Sequence, residues 1–419
     1  MASKITNVER FLVQVPFVER TRLDMERAEI FEWSELEIFR VETDTGHIGW
    51  GETVQKYTWS TVKETDQVIG KSPFDVMWDD ANGAGLQMAL FDAAGKTAGV
   101  PLYRLLDRKC RDWCAISYWH HDTTPERYAE EAQVAVELGY TCMKIKARPW
   151  FDVRETMRQI SDVTPDHFRI DADWNAFLNN AGVAVPVLKE LEAAFPKIKM
   201  WEDPIGRGDA VGNRHLRTQI NCPIAHHYID EGIDARTGIE LGGVCDGWIL
   251  NGGVSRTMRE GHTCASLNMP FFLQLVGTGL TTTLSLHLSA ALTHAQWPTI
   301  TCHDLYEHNL LTERIPVLDG HARVPEAPGL GIEIDETALA KYRVEKADHT
   351  LPKRLTKTTR PGNAAIYFAN TVQMWDFYSL GNQPVDEWGC NTELLKDDGS
   401  VEFAKLHEEA TESPVIRPK

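Results

Sequence analysis

Two lysines and two acidic residues lie at the ends of short apolar runs in the middle of the chain. Lys144 and Lys146 flank Ile145, Asp171 follows a run at 168–170, and Glu202 follows another at 198–201. These runs are spaced about one strand-plus-helix unit apart. Because a parallel barrel carries its chemistry at the carboxyl ends of its strands, this spacing predicts that the amines and carboxylates face one another.

The two lysines predict a general base. Residues i and i+2 of a strand point to the same face, so Lys144 and Lys146 should both point into the predicted barrel. Two ammonium groups so close raise the cost of charging both, which lowers the pKa of at least one of them. A neutral amine at working pH can then remove a proton. The alternative is a pair of surface lysines at the end of a strand.

The acidic residues predict a site for a hard cation. Asp173 shares the face of Asp171, and carboxylates gathered with Glu202 at the mouth of a barrel would repel one another without a cation. Oxygen ligands of this kind suit Mg²⁺. A cation that holds a substrate carboxylate beside a lysine base predicts abstraction of the neighbouring carbon-bound proton. Taken singly, each acid could be a solvated loop carboxylate.

The elements that must position these groups show two different sequence patterns. Residues up to about 110 contain alternating strands at 11–15 and 34–41, a turn at 44–46 and a helix rich in small residues at 88–106, which predicts an α+β unit. From about residue 114, apolar runs alternate with helical segments, and no return hairpins separate them. This pattern favours a parallel sheet closed into a barrel.

The chain is therefore divided into three parts. Residues 1–112 are predicted to form a capping domain, 113–330 a barrel, and 331–419 a long C-terminal segment. That segment is rich in aromatic side chains, which a disordered tail would not usually carry: Tyr367, Phe368, Trp375, Phe377, Tyr378 and Trp388. We expect it to return to the cap or to a subunit interface.

Composition excludes several classes of partner. Lysine and arginine total 43 against 61 acidic residues, a net charge of -18, which argues against nucleic acid or an acidic membrane surface. Apolar runs fall short of the ~20 residues that span a bilayer. The eight cysteines form no CxxC pair, which favours incidental thiols in a reducing compartment. A cytoplasmic protein that acts on a small molecule is expected.

Five motifs in order resemble the enolase superfamily, in its mandelate racemase and muconate lactonizing branch. The resemblance runs from the cap strands to about residue 333 and rests on these segments: the cap helix and its end at 89–103, Lys-Ile-Lys at 144–146, Trp-Glu-Asp-Pro at 201–204, Gly-Gly-Val at 252–254 and Pro-Gly-Leu-Gly at 328–331. It implies an α/β fold, with an α+β cap over a (β/α)₇β TIM-like barrel. It also implies an enzyme and, commonly, a homo-oligomer.

The resemblance assigns roles to the residues of the opening motif. Lys146 matches the catalytic lysine, and Lys144 its companion that contacts the substrate carboxylate or tunes the base. Asp171 and Glu202 match the first two ligands of a Mg²⁺ ion that assists removal of the proton α to a carboxylate. A third carboxylate is expected in the next unit, but Tyr228 stands there.

The missing third carboxylate weakens the predicted metal site. A neutral phenol is a poor ligand for Mg²⁺, although one or two protein carboxylates can hold the ion when substrate and water complete its shell. Four residues could substitute for the missing acid: Asp173, His226, His227 and Asp230. A histidine ligand would favour a softer metal.

The opposite face of the predicted site also departs from the family. Racemases of this branch carry a histidine after the seventh strand and an aspartate after the sixth, where this chain has Gln274 and Gly247. A two-base racemase is disfavoured, and one-base β-elimination of water from a polyhydroxy acid fits better. Three residues are candidate acids: Tyr228, His303 and Asp304. The alternatives are a racemase, epimerase or cycloisomerase, or a metal-deficient barrel that binds without turnover.

Two cap loops are expected to select the substrate. Their counterparts in this chain are residues 18–32, with Arg20 and Arg22, and 53–59, with Lys56 and Tyr57. Together with Gln274 of the barrel, these polar side chains suit a hydroxylated, anionic small molecule better than an aromatic one.

Overall fold

A computed structural model describes residues 3–55, 64–227, 242–347, 351–382 and 387–419. It is an α/β protein with a parallel barrel, a capping unit at the N-terminal side of the chain, and a separate C-terminal sheet. Within the described residues, we find no helix of the length and apolarity that crossing a membrane requires.

The capping unit is an antiparallel meander covered by helices. Strands β1 (Ile5–Gln14), β2 (Glu35–Thr43) and β3 (Ile48–Val54) pair in order, and helix α1 (Glu19–Arg27) lies between the first two. Helices α2 (Pro73–Val76), α3 (Ala84–Ala98) and α4 (Tyr103–Leu106) follow. Gly99, in the left-handed conformation at φ 68°, ends α3. The predicted strands and turn are confirmed, and the predicted helix is two helices.

The cap sheet and α3 approach one another closely. A Cβ atom on Gly49 of β3 would lie 2.1 Å from the backbone oxygen of Ala89. A glycine is therefore required at this position for α3 to pack against the sheet.

Among the described residues, eight parallel strands form the barrel. They are β4 (Trp113–Trp119), β5 (Cys142–Lys146), β6 (Arg169–Asp173), β7 (Ile198–Glu202), β8 (Ile224–His227), β9 (Gly247–Leu250), β10 (Phe271–Leu273) and β11 (Thr299–Thr301). Neighbours pair in sequence from β4 to β10, and β11 pairs with β4. A parallel bridge from Gln274 to Ile300 brings β10 and β11 together and closes the ring.

Helices on the outside connect the barrel strands. They are α5 (Pro125–Glu137), α6 (Val153–Val163), α7 (Ala181–Ala194), α8 (Ala210–Arg217), α9 (Val254–Ser266) and α10 (Gly279–Ala291). Four of them begin at a side chain that accepts a hydrogen bond from the first turn, in chain order Thr124, Asp152, Asn180 and Asp209. Most of the connection between β8 and β9 lies outside the described residues.

A short hairpin lies beside the first barrel strand. Its strands are β12 (Val317–Leu318) and β13 (His321–Arg323), and β13 pairs antiparallel with β4. Helix α11 (Glu336–Tyr342) then leads to β14 (Arg343–Val344), which pairs with β1 and so returns the chain to the cap sheet.

The remaining residues form a C-terminal extension, which we define as residues 351–382 and 387–419. Its antiparallel sheet has the order β17 (Asn391–Lys396), β15 (Arg354–Thr359), β16 (Ala364–Phe368) and β18 (Val415–Pro418). Helices α12 (Thr371–Ser379) and α13 (Val401–Glu412) complete it. Aromatic side chains of the extension pack against Trp150, Phe151 and Phe177, which follow β5 and β6.

Candidate active site at the carboxyl ends of the barrel strands

The strand register decides which of the predicted site residues lie side by side. Lys144 pairs with Asp171 and Lys146 with Asp173 across β5 and β6, and Asp173 pairs with Glu202 across β6 and β7. Lys146, Asp173 and Glu202 therefore lie at one level at the carboxyl ends of the strands. Asp171 lies two residues closer to the amino end, so the structure does not place it beside Glu202.

Lys144 is a buried ammonium group at the centre of the site. Its Nζ donates to Oε1 of Gln274 at 2.5 Å, contacts the carboxylate of Glu202 and lies 3.5 Å from Oδ2 of Asp173. Burial alone would lower the pKa of Lys144, but the surrounding carboxylates outweigh it and raise the pKa. Lys144 is thus the charged member of the lysine pair.

Lys146 has the properties expected of the base. Its Nζ donates to Oδ2 of Asp173 at 2.5 Å and to Oδ1 of Asn175 at 3.3 Å. Burial lowers the pKa of Lys146, and the charges of Lys144 and Arg148 act in the same direction against the attraction of Asp173. Its side chain is 11% exposed, whereas that of Lys144 is fully buried, so Lys146 is the amine nearer the open mouth.

The two carboxylates at this level differ in their electrostatics. Burial opposes ionisation of Asp173, but the nearby Lys146, Lys144 and Arg148 hold its pKa well below the usual range. Burial raises the pKa of Glu202, and Asp173 adds to this effect, while the Lys144 ammonium opposes it. Asp173 is therefore the acid that the site keeps most firmly ionised.

Asp171 lies in a different environment. Burial raises its pKa to about 7, and its Oδ1 is buried with no hydrogen-bond partner among the described residues. It lines a cavity of about 320 Å³ with residues from the amino ends of the strands, together with Phe272 and Trp297. The structure thus places Asp171 toward the opposite end of the barrel from the mouth.

The two histidines of β8 point in different directions. His227 Nδ1 lies 3.9 Å from Oε1 of Glu202, and its Nε2 lies 3.2 Å from the amide nitrogen of Asn251, which donates to it. His226 Nδ1 lies instead 3.4 Å from Asp203. Burial lowers the pKa of both rings, for His226 to about 3. Of the two, His227 is the neutral imidazole beside the carboxylates.

Asp173 and Glu202 are the groups that could hold a divalent cation. Oε2 of Glu202 contacts the Lys144 ammonium, whereas its Oε1 is buried without a hydrogen-bond partner in the described part of the chain, which fits a site that takes a further ligand. Across the described ranges, no three His, Cys, Asp or Glu residues form a metal-binding group. Two carboxylates suffice for Mg²⁺ when substrate and water supply the other ligands.

The predicted arginines of the cap are engaged in ion pairs. Arg20 Nε lies 3.0 Å from the carboxylate of Glu131. Arg22 pairs with Glu19 at 2.9 Å and with Glu26 at 2.6 Å along α1. This spacing of three and four residues could have been recognised in the sequence as a helix-surface ion-pair pattern.

The remaining predicted residues are placed as follows. Gln274 lies in the site, where it accepts the hydrogen bond from Lys144. His303 is buried, with Nδ1 3.1 Å from Thr282 Oγ1 and Nε2 3.6 Å from Asp304, and burial lowers its pKa. The other predicted residues, namely Lys56, Tyr57, Tyr228 and Asp230, lie outside the described residues.

The sequence analysis did not predict a cluster of aromatic rings at the end of the first barrel strand. Tyr118 donates to Glu131 of α5 and so points outward, and alternation along β4 then turns Trp119, its last residue, inward. Trp119 stacks on Trp33 of the cap at 5.5 Å between centroids and meets the His121 ring edge to face at 5.7 Å. The signal available in the sequence was the Trp-His-His run at 119–121 at the end of an apolar strand.

The chain is similar to proteins of one family. The family model described as "Enolase C-terminal domain-like" matches residues 127–338. Arabinonate dehydratase of Saccharolobus solfataricus is 24% identical over 343 residues, 72% of this chain and 89% of the relative. N-succinyl-L-Arg/Lys racemase of Bacillus cereus is 27% identical over 221 residues, 47% of this chain and 58% of the relative.

A solved structure shares the fold. Muconate cycloisomerase from Pseudomonas fluorescens superposes with a TM-score of 0.63 at 22% identity, over 82% of this chain and 100% of that one. The predicted cap and barrel are thereby confirmed. The chain belongs to the enolase C-terminal domain-like family, and its relatives are enzymes of the mandelate racemase and muconate lactonizing branch.

Proposed function

We propose that this protein is a lyase that dehydrates a polyhydroxy acid, with Lys146 as the base that removes the proton α to the carboxylate. The observation that carries the proposal is the Lys146 amine, partly exposed at the level of Asp173 and Glu202, with its pKa lowered by burial. A lysine with a lowered pKa is neutral in a larger fraction of molecules, which is the form a base requires.

The neighbours of Lys146 support each stage of the proton transfer. The neutral amine takes the α-proton and becomes an ammonium, which Asp173 at 2.5 Å and Asn175 at 3.3 Å stabilise. The carbon–oxygen bond of the β-hydroxyl then breaks as the carbon–carbon double bond forms. The departing hydroxide takes the proton back from the Lys146 ammonium, so that water leaves and the enol product becomes a 2-keto-3-deoxy acid.

Asp173 and Glu202 would hold a Mg²⁺ ion, which when bound supplies positive charge where negative charge develops on the substrate carboxylate. Lys144 contributes a second positive group that does not depend on the ion. Because the carboxylates raise its pKa, its ammonium stays charged and can attract the carboxylate of the substrate.

Two positions favour dehydration over racemisation. Gln274, at the end of β10, accepts a hydrogen bond from Lys144 and cannot act as a second base. Gly247 begins β9 at the amino end of the barrel, so the residue that follows this sixth strand at the mouth is Asn251. Its amide donates to His227 at 3.2 Å and supplies no carboxylate. The site therefore has a base on the Lys146 side, and the opposite side lacks the histidine and aspartate pair that a two-base racemase of this branch carries.

Product analysis tests the proposal. The protein is incubated in heavy water with Mg²⁺ and a panel of five- and six-carbon sugar acids, and the mixture is followed by NMR. Loss of the α-proton signal with appearance of a 2-keto-3-deoxy acid is expected. Lys146→Met should abolish it, while Lys189→Met, a change at an exposed lysine of α7, should not.

Other outcomes identify the alternatives. Inversion at the α-carbon without loss of water would indicate a racemase or epimerase, and lactone formation or opening would indicate a cycloisomerase. The absence of α-proton exchange with every acid of the panel would refute the proposal and favour a barrel that binds without turnover.

A further inference from the structure

Arg148, two residues beyond Lys146, is a buried cation enclosed by aromatic rings. Its residue is 1% exposed. Its guanidinium carbon lies 5.7 Å from the ring centroid of Trp150, 5.5 Å from that of Phe177 and 4.9 Å from that of Trp375. Trp375 belongs to α12 of the C-terminal extension and makes the closest of the three contacts. One of the three rings around this barrel residue therefore comes from the C-terminal extension.

Hydrogen bonds connect this arginine to the proposed base. Nη2 of Arg148 donates to Oδ1 of Asn175 at 2.7 Å, and Nη1 approaches the backbone oxygen of Asp173 at 3.4 Å. Lys146 donates to the same Oδ1 of Asn175 at 3.3 Å. The backbone nitrogen of Asn175 donates in turn to Oδ1 of Asp173 at 2.8 Å. One amide oxygen thus accepts from both Arg148 and Lys146.

The extension is docked on the segment that carries Arg148. Thr392 donates to the backbone oxygen of Trp150 at 2.7 Å, and the backbone nitrogen of Gly389 donates to Asp152 at 2.7 Å. The ring of Tyr378 lies 5.2 Å from that of Trp150. These contacts fix the extension to the loop after β5, so Trp375 has a defined position over the guanidinium.

We propose that the C-terminal extension is a positioning element for the proton transfer. Trp375 holds Arg148, Arg148 orients the amide of Asn175, and Asn175 together with Asp173 fixes the Lys146 amine. The proposal rests on the proposed function in so far as Lys146 is the base. It gives the extension a role that the barrel and the cap do not provide by themselves.

Each of these contacts restrains the side chain that follows it toward Lys146. A guanidinium removed from water is attracted to the faces of aromatic rings, and across the described ranges Arg148 has no carboxylate at ion-pair distance. Loss of the nearest ring would let the long side chain reach other rotamers, and the Asn175 amide would lose the partner that fixes its orientation. Displacement of a catalytic group by about 1 Å can slow a reaction by about 100-fold.

Three variants of the full chain test the proposal. Trp375→Ala removes the ring, and Trp375→Phe keeps an aromatic face. Phe403→Ala is the matched control, because Phe403 is a buried aromatic of α13 that packs in a different cluster of the extension, with Leu355 and Ala410. For each variant the crystal structure is determined, and kcat and KM are measured on a sugar acid that the wild type dehydrates.

Trp375→Ala should lower kcat by about 100-fold with KM little changed, and its structure should show the Asn175 amide turned away from Lys146. Trp375→Phe should keep kcat within about threefold of the wild type, as should Phe403→Ala. Equal losses in Trp375→Ala and Phe403→Ala would overturn the positioning role, because they would indicate general loosening of the extension.

The crystal structures decide the positioning claim even if the wild type dehydrates no sugar acid. A wild type that dehydrates no sugar acid would refute the proposed function, but it would leave the positioning claim to be decided by the structures. An Asn175 amide oxygen that stays within hydrogen-bond distance of Lys146 in Trp375→Ala would overturn the positioning claim, whatever the activity. A displaced amide would support it.

Discussion

Asp171 and Asp173 offer a matched pair of substitutions with opposite expected effects on stability. They lie two residues apart on β6, yet Asp173 contacts Lys146 at 2.5 Å and lies 3.5 Å from Lys144. Asp171 has a buried oxygen with no hydrogen-bond partner in the described part of the chain. Replacement of each by asparagine preserves its size and removes its charge.

Asp173→Asn removes one partner of a buried ion pair. Such a change costs about 3–5 kcal/mol, because the remaining charge is left buried and uncompensated. In this site the buried Lys144 ammonium would then face Glu202 alone, and the Lys146 amine would lose the carboxylate that accepts its hydrogen bond. We expect the free energy of unfolding at pH 8 to fall by about that amount, and the activity to be lost.

At pH 8, Asp171→Asn should have the opposite effect on the free energy of unfolding. Burial raises the pKa of Asp171 from 3.8 to about 7, so the folded state binds this proton more tightly than the unfolded state. Stability therefore falls as the pH rises from about 4 to 7, by about 1.4 kcal/mol per pH unit, or roughly 4 kcal/mol in all. The asparagine removes this penalty, so the variant should equal or exceed the wild type at pH 8.

Denaturant titration checks both expectations. Urea unfolding of the wild type and the two variants is followed by tryptophan fluorescence at pH 8 and again near pH 4, where the advantage of Asp171→Asn should disappear. A loss of stability in Asp171→Asn as large as that in Asp173→Asn would refute the assignment of the two aspartates to different levels of the barrel.

Three further predictions concern other parts of the molecule. Burial lowers the pKa of His287 from 6.5 to about 4. As the pH falls, this histidine is therefore protonated in the unfolded state before it is protonated in the folded state. Stability should then fall by roughly 3 kcal/mol as the pH drops from 7 to 4, and thermal melts of His287→Gln should show a weaker pH dependence. Gly49→Ala would place a Cβ 2.1 Å from the backbone oxygen of Ala89 and should cost about 3 kcal/mol in urea unfolding. Gln274→Leu leaves the Lys144 ammonium without the oxygen that accepts its hydrogen bond at 2.5 Å, and it should lower the free energy of unfolding by about 2 kcal/mol in the same assay. For Gly49→Ala or Gln274→Leu, an unchanged urea midpoint would contradict the prediction for that variant.

The fold could be predicted from local patterns because its elements follow from residue spacing. Alternating apolar and polar residues marked the cap strands, and repeated strand–helix units without hairpins marked the barrel. The cap at Thr124 with Pro125 at the first helical position located the start of α5, and the structure confirms it. These signals are contained within short segments, which is why the sequence alone sufficed.

The level of each acid in the barrel could not be predicted from such signals. Asp171 and Asp173 share a face, so alternation cannot choose between them. The choice depends on where β6 ends and on its register with β7, which shifts between Ile170 and Asp171. Register between neighbouring strands is set by packing across the barrel, and it brought Asp173 beside Glu202.

The placement of the extension was likewise beyond sequence patterns. Its aromatic residues indicated a packed segment, but the rings they meet, such as Trp150 and Phe177, lie about 200 residues earlier in the chain. Long-range contacts of this kind leave no local periodicity. The homo-oligomeric state and the domain boundaries at 112 and 330 stay predictions.

Chemical rescue of Lys146→Ala tests most directly the claim that the Lys146 amine is the base. The α-proton exchange of a sugar acid in heavy water is measured with and without added ethylamine, with Lys144→Ala as the control. We predict that Lys146→Ala slows exchange by about 1,000-fold and that the free amine form of ethylamine restores part of the rate in Lys146→Ala only. Exchange by Lys146→Ala at the wild-type rate would contradict the account.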